Sequence, residues 1–320
     1  MRRLNSRERR EAASSTDVSV KSRYLRRIFV LDILQPLPVE QWILLKDTLK
    51  RDWPNYAYYY YWIDNAIRWK EKTPEINITV YCPEKKYDTG VFVGISAYAI
   101  YYVLAFAFPE NKKILFDCLI NTEYIDWKRE VFFQAVQDNF LSTVDDVSNH
   151  LRTAINLEIL AHGYCKYYYK SKEDCLSVDV SIPPGFELRI LKEENVHLIH
   201  ELWPREEVKK NPEKSAMFIS KMINLNKGIG LFRKEDNRLV SWALQTEYGG
   251  LGNVQTLNEF RRRGFAKIVT NALAKLIAQQ DIDIVLFTSK TNIRSQNYFT
   301  SLGWKHINDV RFTIFKPLAN

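Results

Sequence analysis

Cysteine and histidine are scarce: the chain has four cysteines and five histidines in 320 residues. The cysteines form no C-x-x-C pair and none of the spacings of a structural zinc site, and the histidines do not cluster with them. We therefore infer no metal. Isolated thiols in a chain of this length are typical of a reducing compartment, in which they stay free. The cysteines are Cys82, Cys118, Cys165 and Cys175.

Net positive charge is small outside the first 27 residues. The formal net charge is +8, but residues 1–27 hold nine basic and three acidic residues, which leaves +2 on the other 293 residues. A nearly neutral body excludes a broad nucleic-acid-binding face. The first 27 residues are polar, rich in arginine and serine, and lack the apolar core of a secretory signal. We interpret them as a disordered basic tail; the alternative is a mitochondrial transit peptide, although such peptides are poor in acidic residues.

One uncharged run, Val91–Phe108, has the length of a membrane span. Its tyrosines, together with Gly94 and Ser96, make it only modestly hydrophobic, and lysine pairs flank it on both sides. Its aromatic and β-branched content favours two paired strands. We therefore predict no membrane span.

The aromatic run Tyr56–Trp62 has the composition of a base-stacking surface. It has no arginine or lysine until Arg68, however, and backbone phosphates need such charges. The sequence predicts that these rings pack between layers of the fold.

A strand, turn, helix, strand and helix are predicted in succession from Val254 to Trp304. After Gly264, apolar residues recur at the spacing of one helix face for nearly four turns. The run Ile284–Phe287 is continuously apolar, as in a strand that is covered on both faces. A second helix is predicted from about Asn292.

A strand that enters a helix through a glycine turn is suited to binding an anion. The free N–H groups and the positive end of the helix point at the ligand, and glycine lets the backbone come close. The chain has neither the G-x-G-x-x-G pattern nor a P-loop, so the motif does not indicate a nucleotide site. The residues at this turn are Arg261, Arg262, Arg263, Gly264, Phe265, Ala266 and Lys267.

These residues resemble a known family. The pattern R/Q-x-x-G-x-G/A between a strand and a helix is the acyl-CoA signature of the GNAT N-acyltransferases, and Arg261–Ala266 matches it. The run Thr256–Arg261 is also similar to the T-L-P-E-Y-R of glycine N-acyltransferase-like proteins, and a fainter likeness extends over about residues 35–320. Further matching positions, in the helix after the next strand, are Asn292, Ser295, Phe299, Gly303 and Trp304.

The resemblance implies a mixed α/β (α+β) fold. Residues 180–320 are expected to form a GNAT acyltransferase domain, and residues 28–175 a degenerate GNAT-like domain without a CoA motif. The charged stretch Lys170–Gly185, which ends in Ile-Pro-Pro-Gly, is the predicted boundary. The pattern also predicts helices at residues 127–140 and 145–162, strands at residues 228–233 and 238–246, and two short closing strands within residues 304–316.

The function that the resemblance implies is acyl transfer from acyl-CoA or acetyl-CoA to an amine. The subgroup implies a small acceptor such as glycine or another amino acid, and a cytoplasmic or mitochondrial location. In this family the pantetheine arm pairs with the strand before the signature, whose amides bind the oxyanion; the corresponding residues are Val254, Thr256 and Leu257. The other cofactor-binding residues implied are Arg261, Arg262, Arg263, Gly264, Phe265, Ala266, Lys267, Asn292 and Phe299.

The catalytic groups match the family less well. Many relatives have a tyrosine as general acid where this chain has Phe299, and the adjacent Tyr298 lies about 100° away around a helix. The base glutamate of glycine acyltransferases corresponds to Gly250, six residues before Thr256. The nearest carboxylate is Glu247, which we take as the candidate base. A solvated turn residue, or water relayed to a more distant group, are the alternatives.

Two other functions are compatible with the same residues. One is acetylation of a different acceptor, such as a protein amine or a polyamine. The other is a non-catalytic CoA-binding or interaction protein, because the expected tyrosine and glutamate are missing.

Overall fold

Two β-sheets and the helices that cover them make up the part of the chain described by the computed structural model, residues 32–203 and 211–318. The interpretation of residues 1–27 as a tail lies outside the described residues. The described residues from Leu34 onward form one compact unit, so the predicted division near residue 175 stays a prediction.

The described chain runs through the same order of elements twice. Each half has a strand, two helices, three strands, and then a helix, strand, helix and strand. The first half consists of β1 Leu34–Pro36, α1 Trp42–Thr48, α2 Ala57–Lys72, β2 Ile78–Pro83, β3 Val91–Ser96, β4 Tyr102–Ala107, α3 Lys112–Asn121, β5 Val131–Gln137, α4 Leu141–Ile155 and β6 Leu157–Lys170. The short helix α5 Lys172–Leu176 follows. The second half consists of β7 Phe186–Ile190, α6 Val196–Glu201, α7 Pro212–Leu225, β8 Gly228–Arg233, β9 Arg238–Gln245, β10 Leu251–Thr256, α8 Phe265–Ala278, β11 Ile284–Ser289, α9 Ile293–Ser301 and β12 Lys305–Pro317.

The last strand of each half lies among the strands of the other half. The larger sheet has the order β1-β2-β3-β4-β5-β12-β6-β11, and the smaller has the order β10-β9-β8-β7. β12 pairs with β5 of the first half, and β6 pairs with β11 of the second. β6 and β12 also pair with each other along their length, from Leu157 opposite Pro317 to Tyr169 opposite Lys305. These exchanged strands join the two halves into one sheet.

The two halves differ at the strands that flank their third helix. In the first half, β4 and β5 are parallel and hydrogen-bonded, with Tyr102 opposite Phe132. In the second half, the equivalent strands β10 and β11 belong to different sheets. The chain approaches β11 just before β10 begins, where a Cβ atom on Gly250 would overlap the carbonyl oxygen of Val285. The fold is therefore open at β10 in the second half and closed in the first.

The aromatic run of α2 is buried between the sheet and the rest of the core, as predicted. Tyr58, Tyr59 and Trp62 are almost fully buried. Trp62 packs against Gly94 of β3, where a Cβ atom would come within 2.5 Å of the indole ring. The prediction of two paired strands at residues 91–108 is also confirmed, since β3 and β4 are antiparallel neighbours.

Three predicted elements were wrong. Residues 131–137 are the strand β5 and not part of a helix, because the run Val-Phe-Phe is β-branched and aromatic and is buried between neighbouring strands. The helix predicted over residues 145–162 spans Leu141–Ile155; it ends where Asn156 adopts a left-handed conformation, with φ of 56°. The two closing strands are one strand, β12, which is interrupted by register shifts. The predicted strands β8 and β9 are confirmed.

Candidate active site

The glycine turn before α8 has the geometry expected of an anion site. Gly264 has a left-handed backbone conformation with φ of 78°, and an added Cβ atom there would meet no other atom within 4 Å. Helix α8 begins at Phe265, so its first N–H groups lack acceptors within the helix and face this open space. The side chain of Phe265 is buried against Phe186 and Phe260. Phe265 can therefore offer only its backbone to a ligand.

The basic residues of the turn lie at the surface. Arg261, Arg262, Arg263 and Lys267 are exposed, and Ala266 is half-buried. The Arg261 guanidinium donates to the carbonyl oxygen of Thr256 at 3.3 Å, so it lies beside the end of β10. These cations and the free N–H groups of α8 together make the turn electropositive.

A cavity of about 520 Å³ lies beside the end of β10. It is lined on the β10 side by Thr256, Leu257 and Arg261, and elsewhere by Leu202 and Trp203. The structure therefore brings three of the predicted cofactor-binding residues together around one opening.

Strand β10 has a β-bulge at the point where the fold is open. Gly252 pairs with Leu244 and Gln255 with Trp242, so Asn253 and Val254 lie outside the regular ladder. Asn253 has a positive φ of 49°, a conformation that asparagine tolerates better than most residues. The backbone of Val254 therefore lies outside the regular pairing with β9, and its role in binding pantetheine stays a prediction.

Asn253, which the sequence analysis did not single out, lies at this bulge. Its side-chain nitrogen Nδ2 is buried and has no acceptor among the described residues, while the Trp242 indole donates to its Oδ1 at 3.4 Å. The only sign of this bulge in the sequence is a lone asparagine between Gly252 and Val254. A bulge cannot otherwise be recognised there, because it depends on the register with β9.

The other two predicted pantetheine residues are less free than expected. The N–H of Leu257 donates to the carbonyl oxygen of Val240 at 3.0 Å, so the expected oxyanion donor at Leu257 is wrong. Thr256 pairs with Ser241, and their hydroxyl groups lie 2.8 Å apart. Leu257 can contribute its side chain and carbonyl group only.

Asn292 and Phe299 are placed by α9. Asn292 is the exposed N-cap of this helix, and its Oδ1 accepts from the N–H of Ser295 at 3.0 Å. Phe299 is buried and packs edge-on against Tyr298 and Trp304. The Tyr298 hydroxyl is bonded to the Thr270 hydroxyl at 2.9 Å, and burial raises the pKa of Tyr298 to about 12. Tyr298 therefore holds its proton more tightly than an exposed tyrosine does.

Glu247 is buried, in the turn between β9 and β10. Only 9% of the residue is exposed, so the alternative of a solvated turn residue is wrong. Two side chains of the first half hold it: Asn65 of α2 donates to its carbonyl oxygen at 2.8 Å, and Gln134 of β5 donates to Oε1 at 2.9 Å. Both lie more than a hundred residues away along the chain.

The negative charge of Glu247 affects the pKa values of two tyrosines of the first half. Burial, and then the negative charge of Glu247, raise the pKa values of Tyr58 and Tyr98 well above the ordinary value for tyrosine. Both hydroxyl groups therefore stay protonated at neutral pH, beside a carboxylate. Sequence reasoning assigned Tyr58 to packing alone.

Within the described residues, no group of three or more histidine, cysteine, aspartate or glutamate side chains is placed to hold a metal ion. No helix in residues 32–203 or 211–318 has both the length and the apolar character needed to cross a membrane.

Two family models match parts of the chain. Residues 228–313 match the family model of FR47-like proteins, and residues 33–147 match a domain of unknown function, DUF5645. No curated protein matches the chain.

Among solved structures, the chain is similar to a Drosophila protein with 22% identity and a TM-score of 0.79; the match covers 90% of this chain and 100% of that one. At this identity the likeness shows a shared fold and nothing about activity. A tandem GNAT protein from the clavulanic acid biosynthesis pathway matches with 10% identity and a TM-score of 0.49, covering 88% of this chain and 98% of that one. The predicted fold class is confirmed: the chain is mixed α/β with a GNAT-like fold.

Proposed function

We propose that this protein is an acyl-CoA-dependent N-acyltransferase, which transfers an acyl group from a CoA thioester to a small amine. One observation carries the proposal: the fold is open at the bulged strand β10, directly between the electropositive glycine turn and the buried Glu247. A long anionic thioester and an amine can meet there.

The donor occupies the opening beside β10. Its phosphates lie at the turn, against the backbone N–H groups of Phe265, Ala266 and Lys267 and the free space above Gly264. The pantetheine arm follows β10 past Thr256 and Leu257 to the bulge at Val254. The residues that neutralise or enclose the donor are Arg261, Arg262, Arg263, Lys267, Asn292 and Phe299.

The acceptor reacts at the bulge. Glu247 takes a proton from the ammonium group, and the neutral nitrogen attacks the thioester carbon. The N–H groups of Asn253 and Val254 stabilise the oxyanion; such a donor typically contributes about 3 kcal/mol to lowering the barrier. The carbon–sulfur bond then breaks, the sulfur takes the second nitrogen-bound proton, and the products are an amide, CoA and the proton held by Glu247.

We propose that the acceptor is a small molecule. Glu247 is 9% exposed and is covered by α2 and β5, which suits a small molecule better than a protein side chain on a bulky partner. The likeness of Thr256–Arg261 to glycine N-acyltransferase-like proteins supports glycine or another amino acid.

A non-catalytic CoA-binding protein is the second candidate. Two observations favour it: Phe299 fills the core where many relatives have a tyrosine, and Gly250 stands where glycine acyltransferases have the base. No side chain fits at Gly250, because the strand approaches the carbonyl oxygen of Val285 too closely. The base of this protein must therefore come from another position.

The release of the CoA thiol tests the proposal. Acetyl-CoA and benzoyl-CoA are incubated with the protein and with glycine, other amino acids or polyamines, and thiol appearance is followed. We expect turnover with a small amine, and a decrease in kcat of about 10²- to 10⁴-fold in Glu247→Gln, with the KM for the donor unchanged. Unchanged turnover in Glu247→Gln would remove the base assignment. Acyl-CoA binding without turnover of any amine would support the second candidate.

A further inference from the structure

Three side chains that interact with Glu247, by a hydrogen bond or through its charge, each have an oxygen atom without a hydrogen-bond partner among the described residues. These atoms are the hydroxyl oxygens of Tyr58 and Tyr98 and the amide oxygen Oε1 of Gln134. Tyr58 is 1% exposed and Gln134 is 3% exposed. Buried polar atoms are nearly always hydrogen-bonded, because leaving one without a partner costs free energy. Three such atoms at one carboxylate therefore indicate a binding site.

The orientation of Gln134 follows from its hydrogen bond. Its Nε2 donates to Oε1 of Glu247 at 2.9 Å, and the reversed amide would place two acceptors against each other. The amide oxygen of Gln134 is therefore left for another donor. Each of these three oxygen atoms can accept a hydrogen bond, and each tyrosine hydroxyl can also donate one, beside the carboxylate of Glu247.

The cluster is assembled from three elements of the first half and one of the second. Tyr58 lies on α2, Tyr98 in the loop between β3 and β4, Gln134 on β5 and Glu247 in the turn before β10. Aromatic rings enclose it: Tyr58 packs against Tyr248 at 5.4 Å, and Tyr98 against Trp69 at 5.3 Å. Aromatic rings therefore pack beside both tyrosines of the cluster.

We propose that Tyr58, Tyr98 and Gln134 form, with Glu247, the pocket that holds the ammonium group of the acceptor. A primary ammonium has three N–H donors, which match the three neutral oxygen acceptors. Its positive charge matches the carboxylate of Glu247. A quaternary ammonium has no N–H group to donate to these oxygen atoms, so we expect it not to bind. The pocket rests on the proposed function and assigns acceptor binding to the first half, which lacks the glycine turn.

Direct binding tests the pocket without any need for acyl transfer. Full-length protein is titrated with propylammonium chloride, tetramethylammonium chloride and sodium propionate at constant ionic strength, and binding is followed by calorimetry. We expect only propylammonium to bind. Tyr58→Phe and Tyr98→Phe should each weaken it about tenfold or more, as the loss of a hydrogen bond to a charged group does. Tyr60→Phe is the matched control, since Tyr60 lies on the same helix but packs against Lys46 and Trp53.

Three results are informative. If propylammonium binds and both phenylalanine variants bind it as wild type does, the pocket is refuted. If wild type turns over an amine but the variants leave the KM for that amine unchanged, the pocket is again refuted while the proposed function stands. If propylammonium binds as expected but no amine is acylated from any CoA thioester, the pocket stands and the proposed function fails.

Discussion

Tyr58 and Tyr59 are adjacent buried tyrosines whose hydroxyl groups have opposite surroundings. The Tyr58 hydroxyl has no partner among the described residues, whereas the Tyr59 hydroxyl donates to the carbonyl oxygen of Ala135 at 3.3 Å. Both rings keep aromatic neighbours after the hydroxyl is removed: Tyr58 packs against Phe287 at 5.0 Å, and Tyr59 against Phe106 at 4.8 Å. Replacement by phenylalanine therefore isolates the effect of each hydroxyl group.

The magnitudes follow from hydrogen bonding. A buried polar group without a partner costs about 1–3 kcal/mol, and the small void left by one oxygen atom costs a few tenths at about 24 cal/mol per Å³. Tyr58→Phe should therefore raise the free energy of unfolding by about 1 kcal/mol or more. Tyr59→Phe should lower it by about 1 kcal/mol, because it loses the hydrogen bond to the carbonyl oxygen of Ala135.

Urea unfolding, followed by tryptophan fluorescence in the absence of amines, measures both variants. We expect the unfolding midpoints to move in opposite directions with unchanged m-values. If Tyr58→Phe is destabilised as much as Tyr59→Phe, the Tyr58 hydroxyl has a protein partner. The reasoning behind the ammonium pocket would then be wrong.

Two further changes test the turn and the pH dependence. Gly264→Glu places a side chain and a negative charge at the proposed phosphate site, so it should abolish the rise in melting temperature with acetyl-CoA. In wild type, that rise reflects about 2.7 kcal/mol at one hundred times the Kd. The control Gly264→Ala has the same backbone strain without the charge and should keep most of the shift, whereas normal binding by Gly264→Glu would place the site elsewhere. Burial holds the pKa of Tyr298 at about 12, against about 10 in an unfolded chain, so the unfolded state releases this proton first and stability falls as the pH rises from about 10 to 12. Tyr298→Phe should lessen that fall in pH-dependent urea unfolding, and an identical slope in the variant would contradict a raised pKa.

The elements of the proposed donor side could be predicted from the sequence because they are local. The strand, the glycine turn and α8 follow one another within about twenty-five residues, so spacing and helical periodicity identify them. Gly264 adopts the left-handed conformation that its place in the motif required.

The surroundings of Glu247, where we propose that the acceptor binds, could not be predicted from the sequence, because they depend on contacts between distant parts of the chain. Glu247 is buried by Asn65 and Gln134, which lie 182 and 113 residues away. The strand β5 was mistaken for a helix for a related reason. Its short apolar run fits both periods, and only its pairing with β4 and β12 decides between them. The exchange of β6 and β12 has no local signal at all.

That exchange has a consequence for how the chain is made. β5 is paired on one side by β4 and on the other by β12, whose first residue is about 170 positions later in the chain. At about 5–20 residues per second, a ribosome needs roughly 10–35 seconds to reach β12 after finishing β5. During that time β5 presents an open edge to other chains. The strand β6 is synthesised before β12 and is then the nearest strand that could pair with this edge. The nascent protein therefore completes its first half only after it has synthesised nearly all of its second.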